Sequence, residues 1–489
     1  MLLKVLYGIL IFLGAFIVLT LIRAIFFTPK KLESKGLEPE TVDVESFKKH
    51  LSQAIAIKTI SDRDKDKVDW EEFKKFRSFL EETYPLVHKA LTREDVSDAS
   101  LLYRWKGRDS SLEPIALLSH MDVVPVSQGT EQDWVHPAFE GYNDGEFIWG
   151  RGAIDMKNHL IAIMESVETL ISEGYSPERD VYICFGHDEE VMSATESGAR
   201  TIVRTLQERG VTLDSVLDDG GAILPVNIKG VMNKYLAGIG VAEKGHADFE
   251  ITVSAKGGHS SQPPKHSALG KLSKVVLKLE NHQFKAKLSP MMCSLFNKIG
   301  RNVSYPARIV TCNIWLLKPL IVAICKQIPP AACMIRTTTA VTQAKGSPAP
   351  NVLPQKASVT ANFRIMPDSS VKEVEEHIKK VVGKGVEVSC IKGEEPSNIS
   401  PTDSRAFKAI EEICRGMNSD NIVAPYLVMG GTDARNYEPI CKNVYRYSPF
   451  LVDTALLLTT HGTNERIPVS SLEDGVAFFK RYIKALSSD

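Results

Sequence analysis

No two cysteines in this chain stand in a C-x-x-C pair. The eight, at positions 184, 293, 312, 325, 333, 390, 414 and 441, are scattered, which argues against a thiolate zinc site or a disulfide-stapled scaffold. Most lie in apolar runs and are expected to pack as small hydrophobes. Excess charge of either sign is also lacking, with 59 Lys+Arg against 60 Asp+Glu. No basic stripe or nucleic-acid motif is present, so no polyanionic partner is implied. The G-x-S-x-G nucleophile elbow of a serine hydrolase is missing as well. Beyond residue 27 no uninterrupted apolar run reaches membrane-spanning length. Ile309–Cys333 comes nearest, with Trp315 and many Leu, Ile and Ala, but Pro319, Pro329 and Pro330 break it. Packing in a core or lid is its simplest reading, and an acyl-binding or membrane-facing surface is the other.

The amino terminus does hold such a run. Val5 to Ile22 is 18 residues without a charge, bracketed by Lys4 and Arg23. As a helix it covers ~27 Å, and flanking cations that snorkel extend this to a ~30 Å hydrocarbon core. The bulky Ile25-Phe26-Phe27-Thr28-Pro29 offers no small-residue cleavage site, so the run reads as an uncleaved single-pass signal anchor. Arg23, Lys30, Lys31 and Lys35 outnumber Lys4 and favour a cytoplasmic main domain. Two sequons, Asn302-Val303-Ser304 and Asn398-Ile399-Ser400, suit the opposite side. The side of the membrane stays open.

Residues 1–27 are thus a transmembrane anchor and 28–40 a polar linker. Periodicity predicts helices near 44–56 and 69–85, the second with Phe73, Phe76, Leu80 and Tyr84 on one face. Strands near 100–106 and 114–119 follow, and 41–245 reads as an α/β catalytic domain. From 246 the strands alternate polar and apolar, as in Phe249–Ser254 and Ala357–Ile365. Helices intervene there, one with the stripe Leu269, Leu272, Val276 and Leu279, another near 371–382. Residues 246–391 are therefore read as an inserted α+β lid or dimerisation domain. The catalytic domain resumes at 392–489, with helices at 403–416 and 470–487.

Candidate chemistry collects at the ends of apolar runs. Pro114–Ser119 is apolar on both faces, as a buried strand should be, and leads into His120-Met121-Asp122. Open α/β sheets present ligands at such strand ends. A nearby carboxylate can hold one ring nitrogen while the other binds a metal, although the pair alone also fits a hydrogen-bonded core. Asp155 follows a turn at Gly150 and Gly152 and precedes a helix with Leu160, Ile163, Met164, Val167 and Leu170 as its stripe. In isolation it reads as an N-cap. Val181–Gly186 ends in His187-Asp188-Glu189-Glu190, three acids that repel one another unless cations or solvent intervene. Val216-Leu217 runs into Asp218-Asp219-Gly220, and His461 heads a Gly-Thr-Asn-Glu loop. Together His120, Asp155, Glu190, Asp219 and His461 form a mixed N/O set suited to two Zn²⁺ ions sharing one carboxylate. Such ions acidify water and polarise a carbonyl. Glu189, beside Glu190, is then free to serve as general base and acid.

His120-x-Asp122-Val-Val-Pro, Gly152-Ala-Ile-Asp155-Met-Lys, Asp188-Glu189-Glu190, Asp219-Gly220, Gly257-Gly258-His259-Ser260-Ser261 and Gly430-Gly431-Thr432-Asp433 resemble, in this order, the aminoacylase/carboxypeptidase family of two-zinc metallopeptidases. The likeness covers roughly residues 45–485. Trp315-Leu-Leu-Lys-Pro319, Arg336–Ala340, Asn351-Val352-Leu353-Pro354, Asn362–Ile365 and the apolar N-terminus are most similar to its carboxypeptidase S and N-fatty-acyl-amino acid synthase/hydrolase branch. The resemblance implies the zinc-peptidase fold, a mixed sheet flanked by helices with an inserted lid. It implies that Asp155 bridges the ions, Glu190 and His461 completing one site and His120 and Asp219 the other. The family often has Glu at the Asp219 position, which leaves Asp218 as the alternative. Asp122 would orient His120, Glu189 would be the general base, and the Asp155-Met156 peptide would be cis. His259 would stabilise the oxyanion, in many relatives from the partner of a homodimer. Asn351, Arg364 and the Gly430-Gly431 turn would hold the substrate carboxylate.

The resulting expectation is a membrane-anchored two-zinc amidohydrolase acting on small peptides or N-acyl amino acids with a free carboxylate. A strict dipeptidase or carboxypeptidase is the alternative within the chemistry, and a non-catalytic binding protein on the same fold is the alternative outside it.

Overall fold

A computed structural model describes residues 2–29, 37–191 and 197–488. Residues 30–36 of the expected linker, with Lys30, Lys31 and Lys35 of the orientation argument, lie outside the described residues. The largest sheet has nine strands. Along it run Thr92–Val96, Ser100–Trp105, Val181–Gly186, Ile115–His120, Ser215–Asp218, Val444–Arg446, Met232–Glu243 and Asn421–Val428, and Ile223–Ile228 also pairs with Met232–Glu243. Val181–Gly186, Ile115–His120, Ser215–Asp218 and Val444–Arg446 are parallel neighbours, so their carboxyl ends share one edge. Successive side chains of a strand point to opposite faces. Ile115 and Leu117 accordingly join the core beneath helices Val44–Ala56, Lys157–Ser172 and Leu472–Ser487, while Ala116 and Leu118 join the one beneath Gly198–Glu208. Cover on both faces is why these strands read as unbroken apolar runs.

The flanking helices start where polar caps stand. Asp43 accepts the Ser46 N–H at 3.0 Å ahead of Val44–Ala56, and Asp69 caps Trp70–Thr83, whose buried face is Phe73, Phe76 and Leu80. Tyr84 is buried as expected but joins that helix to Pro85–Ala90. The N-cap reading of Asp155 is overturned. Met156 occupies that position with no side-chain cap bond, which leaves the Asp155 carboxylate for other work.

A second sheet, antiparallel, has the order Thr338–Lys345, Lys356–Ile365, Gly245–Ser254 and Val386–Glu394. Helices Ala268–Asn281 and Val371–Val382 cover one face of it over Phe249, Ile251, Val359 and Phe363. In the first helix Val275 is buried and Leu269 is exposed, a shift of the expected stripe. Between these elements, Pro290–Gly300, Tyr305–Cys312, Ile314–Cys325 and Pro329–Cys333 form a helical group. It packs on Ala424 of the large sheet's outer strand. At the other end of the chain, Leu2–Phe26 is one helix of 25 residues.

Candidate active site

Three neighbouring strand ends deliver the central residues. His120 closes Ile115–His120, Asp188–Glu190 follow Val181–Gly186, and Asp219 follows Ser215–Asp218. Asp155 comes from the loop before helix Lys157–Ser172 and is placed by Glu465, which is fully buried. Glu465 Oε1 accepts the backbone N–H groups of Gly152, Ile154 and Asp155 at 3.0, 2.9 and 3.2 Å. Its Oε2 accepts from Arg151 Nη1 at 2.6 Å, and Arg151 Nη2 donates to the Gly462 carbonyl at 2.9 Å. The Asp155 loop and the His461 loop are thereby clamped together. Gly152 is required there: its φ is +87°, and a Cβ would meet Val123 Cγ1 at 2.8 Å.

The two oxygens of Asp155 face different imidazoles. Oδ1 lies 3.2 Å from His120 Nε2 and Oδ2 3.1 Å from His461 Nε2. A carboxylate with one imidazole on each oxygen has the disposition of a ligand shared by two cations. Glu190 sits on the His461 side, with an oxygen 3.0 Å from Nε2. Donor atoms of His120, Asp155 and Glu190 all lie within 4.8 Å of one another. The Asp155-Met156 peptide is cis.

Asp122, fully buried, ties the pieces together. Its carboxylate accepts the N–H groups of Glu189 and Glu190 at 3.2 and 3.1 Å and the Ser61 hydroxyl at 2.6 Å. His120 Nδ1 donates to the Asp122 carbonyl oxygen at 3.0 Å, which turns Nε2 toward Asp155. The adjacent pair at 218–219 divides its labour. Asp218 accepts backbone N–H groups from Asp219 at 2.9 Å and Ala434 at 2.7 Å. The cluster of donor atoms from His120, Asp155 and Glu190 does not include Asp219; the Asp219 carboxyl hydrogen-bonds to Asp218 and feels the charges of His120 and Asp155. Burial first, then the Asp218 charge, pushes it well above the usual carboxylate range.

Carboxylates crowd this centre. Burial raises Glu189 strongly, with Glu190, Asp219 and Asp433 adding to the effect against His120. Hydrogen bonds to Asp155 and then Glu190 push His461 up to about 10. Asp433 is buried, its Oδ2 has no hydrogen-bond partner, and burial followed by Asp218, Asp188 and Asp122 raises it well above its ordinary value. Against these acids stand the imidazoles of His120 and His461, with Arg446 acting on Asp218 and His187 on Asp188 at the margin. Divalent cations would supply the missing positive charge, and the N/O donors fit them.

The lid residues form a separate group. His259 and Val352 pair in a short two-stranded ladder, the Ser260 N–H donates to the Asn351 carbonyl at 3.1 Å, and His259 Nδ1 lies 2.8 Å from Ser261 Oγ. Arg364 stands near Lys244 and Arg336, a cationic cluster. Burial, opposed by Cys333 and reinforced by the two arginines, lowers Lys244 to about 8. Among the described residues no hydrogen bond or ion pair links His259, Asn351 or Arg364 to Asp155 or its neighbours. Gly431 shares a cleft with Glu189, Thr432, Asp433 and Arg435. The turn that begins at Gly430 is held by Glu243, which accepts the Thr432 hydroxyl at 2.8 Å.

Sequence reasoning passed over Ser61, Asp433 and Glu465 as working residues. Glu465 stands four residues beyond His461 and Asp433 directly after Gly-Gly-Thr, so both lay within sight of a motif. Nothing around Ser61 marks it.

Comparison with known proteins agrees with this geometry. The profile described as "Peptidase family M20/M25/M40" matches residues 116–485. "Probable carboxypeptidase S-like 2" of Dictyostelium discoideum is 36% identical over 481 residues, 96% of this chain and 91% of that protein. The N-fatty-acyl-amino acid synthase/hydrolase PM20D1 of Mus musculus is 34% identical over 462 residues, 93% of this chain and 90% of that protein. Among solved structures, the M20 family metallo-carboxypeptidase Sso-CP2 from Sulfolobus solfataricus superposes with a TM-score of 0.65 at 17% identity, covering 90% of this chain and 99% of that one.

Proposed function

The chain belongs to peptidase family M20/M25/M40 and is a hydrolase of peptide or amide bonds. From that premise we propose a membrane-anchored two-zinc amidohydrolase that releases an amino acid from N-acyl amino acids or small peptides with a free carboxylate. The observation that carries the reading is Asp155, one carboxylate shared between His120 and His461, with Glu190 beside the second imidazole.

In this reading Asp155 would be the ligand shared by the ions, with Glu190 and His461 holding one and His120 and Asp219 the other. Asp219 is preferred to Asp218 because the latter's carboxylate is already engaged by two backbone N–H groups. The ions, when bound, supply Lewis acidity to the scissile carbonyl and acidify water. Glu189 takes the water's proton and delivers it to the leaving nitrogen. Asp122 keeps His120 aimed and holds the backbone under Glu189 and Glu190. His259 donates to the developing oxyanion, from the lid of this chain or of a partner subunit. Arg364, with Asn351 and the Gly430-Gly431 turn, takes the substrate carboxylate, an anion that the cations around Arg364 suit.

The test is amino-acid release by the detergent-solubilised full chain from N-oleoyl amino acids, N-acetyl amino acids and dipeptides, with and without chelator, alongside elemental analysis. Chelator-sensitive release from the N-acyl substrates, with two zinc per chain, is expected. Release from dipeptides alone would replace the proposal with a strict dipeptidase.

A further inference from the structure

Apart from Lys318, every side chain of the helix Ile314–Cys325 is apolar. Ile321 and Cys325 face the protein, yet the adjoining row of Leu316, Leu320 and Ile324, four residues apart, is 41%, 52% and 51% exposed, and Trp315 is 57% exposed. A helix without a polar face is suited to a core or to lipid, not to water. The preceding helix, Tyr305–Cys312, lies against the N-terminal helix, and Trp315 at the start of this one joins it there. Arg301 Nη1 donates to the Thr28 carbonyl at 3.0 Å and its guanidinium stands 4.4 Å from the Phe27 ring. Further along, the Tyr305 hydroxyl donates to Leu21 O at 3.2 Å, Asn313 Nδ2 to Thr20 O at 3.3 Å, and Trp315 meets Phe16 edge-on at 5.8 Å. From Phe26 to Phe16 a helix rises ~15 Å, half of a ~30 Å hydrocarbon core. Among the described residues the contacts therefore run from one end of the apolar helix to near its middle.

Charge points the same way. From Asn281 to Pro367, 87 residues contain no Asp or Glu and eleven Lys or Arg, although 60 of the 489 residues are acidic. Of the eleven, Lys298, Arg301, Arg308, Lys318 and Lys326 belong to the helical group itself; Lys298 is paired with Glu411, and the other four flank an apolar face in the way that suits anionic headgroups above acyl chains.

We propose that the Tyr305–Cys325 pair of helices enters one leaflet of an anionic bilayer alongside the N-terminal helix and seats the catalytic body on the membrane. The proposal rests on the anchor reading above. Lys318, on the same helix, reaches the headgroups by extending its stem.

Trp315 is the one strongly exposed tryptophan of the five, so it reports directly. Full-length protein is incorporated into phosphatidylcholine/phosphatidylserine vesicles whose acyl chains carry bromine, and tryptophan emission is read beside vesicle co-sedimentation. Bromolipid should quench the wild type, and most of that quenching should vanish in Trp315→Phe. Adding Leu320→Trp to that variant should restore it, which guards against a fold defect. Co-sedimentation with no more quenching than Trp315→Phe shows would overturn the leaflet proposal and leave the anchor standing. Failure to co-sediment would remove the anchor, and this inference with it.

Discussion

Two regions of this chain are incomplete in opposite senses. At the carboxyl edge of the large sheet, Asp122, Asp155, Glu189, Glu190, Asp218, Asp219 and Asp433 share a small volume with two imidazoles. Between Asn281 and Pro367 there is no carboxylate at all, and apolar side chains face outward. Isolated in water, the first region lacks cations and the second lacks an apolar neighbour. A protein leaves such imbalances only where something else completes them, so each indicates the chemistry of its missing partner. The first asks for divalent metal, the second for lipid.

The contrast breaks most visibly if metal is withdrawn. Chelation should abolish amide hydrolysis, and restoring zinc to ~100 times its dissociation constant should raise stability by about 2.7 kcal/mol, seen as an upward shift in a thermal melt. An unchanged melt with no metal by elemental analysis would mean that the carboxylates are balanced some other way. Glu189→Gln comes next. Turnover should fall ~10²–10⁴-fold while metal content stays at the wild-type level, and wild-type turnover in that variant would remove Glu189 from the reaction. A smaller effect is expected from Asp122→Asn, which weakens the acceptor for two backbone N–H groups and the Ser61 hydroxyl. Metal affinity should drop ~10–100-fold, measured by competition with a chromophoric chelator. Undiminished affinity would show that the Asp122 carboxylate is not needed to hold the ligands, its backbone carbonyl sufficing to aim His120.

Much of the first region was legible because its physics is local. A strand covered on both faces must be apolar throughout, so an acid or imidazole at the end of Ile115–His120, Val181–Gly186 or Ser215–Asp218 stands out against it. Glycines 150 and 152 announced the turn before Asp155. Glu465 was harder to read, since its role is to accept N–H groups more than 300 residues away in the chain, and no periodicity encodes that. Asp155 was open to an N-cap reading because an acid before a helical stripe has the same sequence pattern whether it caps the helix or leaves it. In the helix Ala268–Asn281, Leu269 and Val275 lie about 120° apart, at the two edges of the stripe centred on Leu272 and Leu279, and composition does not say which edge is covered. The apolar run 309–333 was ambiguous for a related reason. Composition distinguishes apolar from polar surface, but only the fold shows which apolar face remains uncovered.

The finest test of the contrast is within one turn of the second region. Leu320 and Ile321 are neighbours in sequence, with 52% and 8% exposure. If the outward face meets only lipid, Leu320→Glu in detergent should change unfolding stability by no more than about 0.5 kcal/mol, the usual range for a surface substitution. Ile321→Glu should cost several times that, because it places a carboxylate among Leu288, Leu295 and Ala424 with no partner. In vesicles the order of interest reverses. Leu320→Glu should reduce bromolipid quenching of Trp315 without releasing the protein, since the 25-residue N-terminal helix still holds it, and hydrolysis of a soluble N-acetyl amino acid should be untouched. Equal destabilisation by both substitutions would mean that the Leu320 face is packed against protein, and the second region would then resemble an ordinary core.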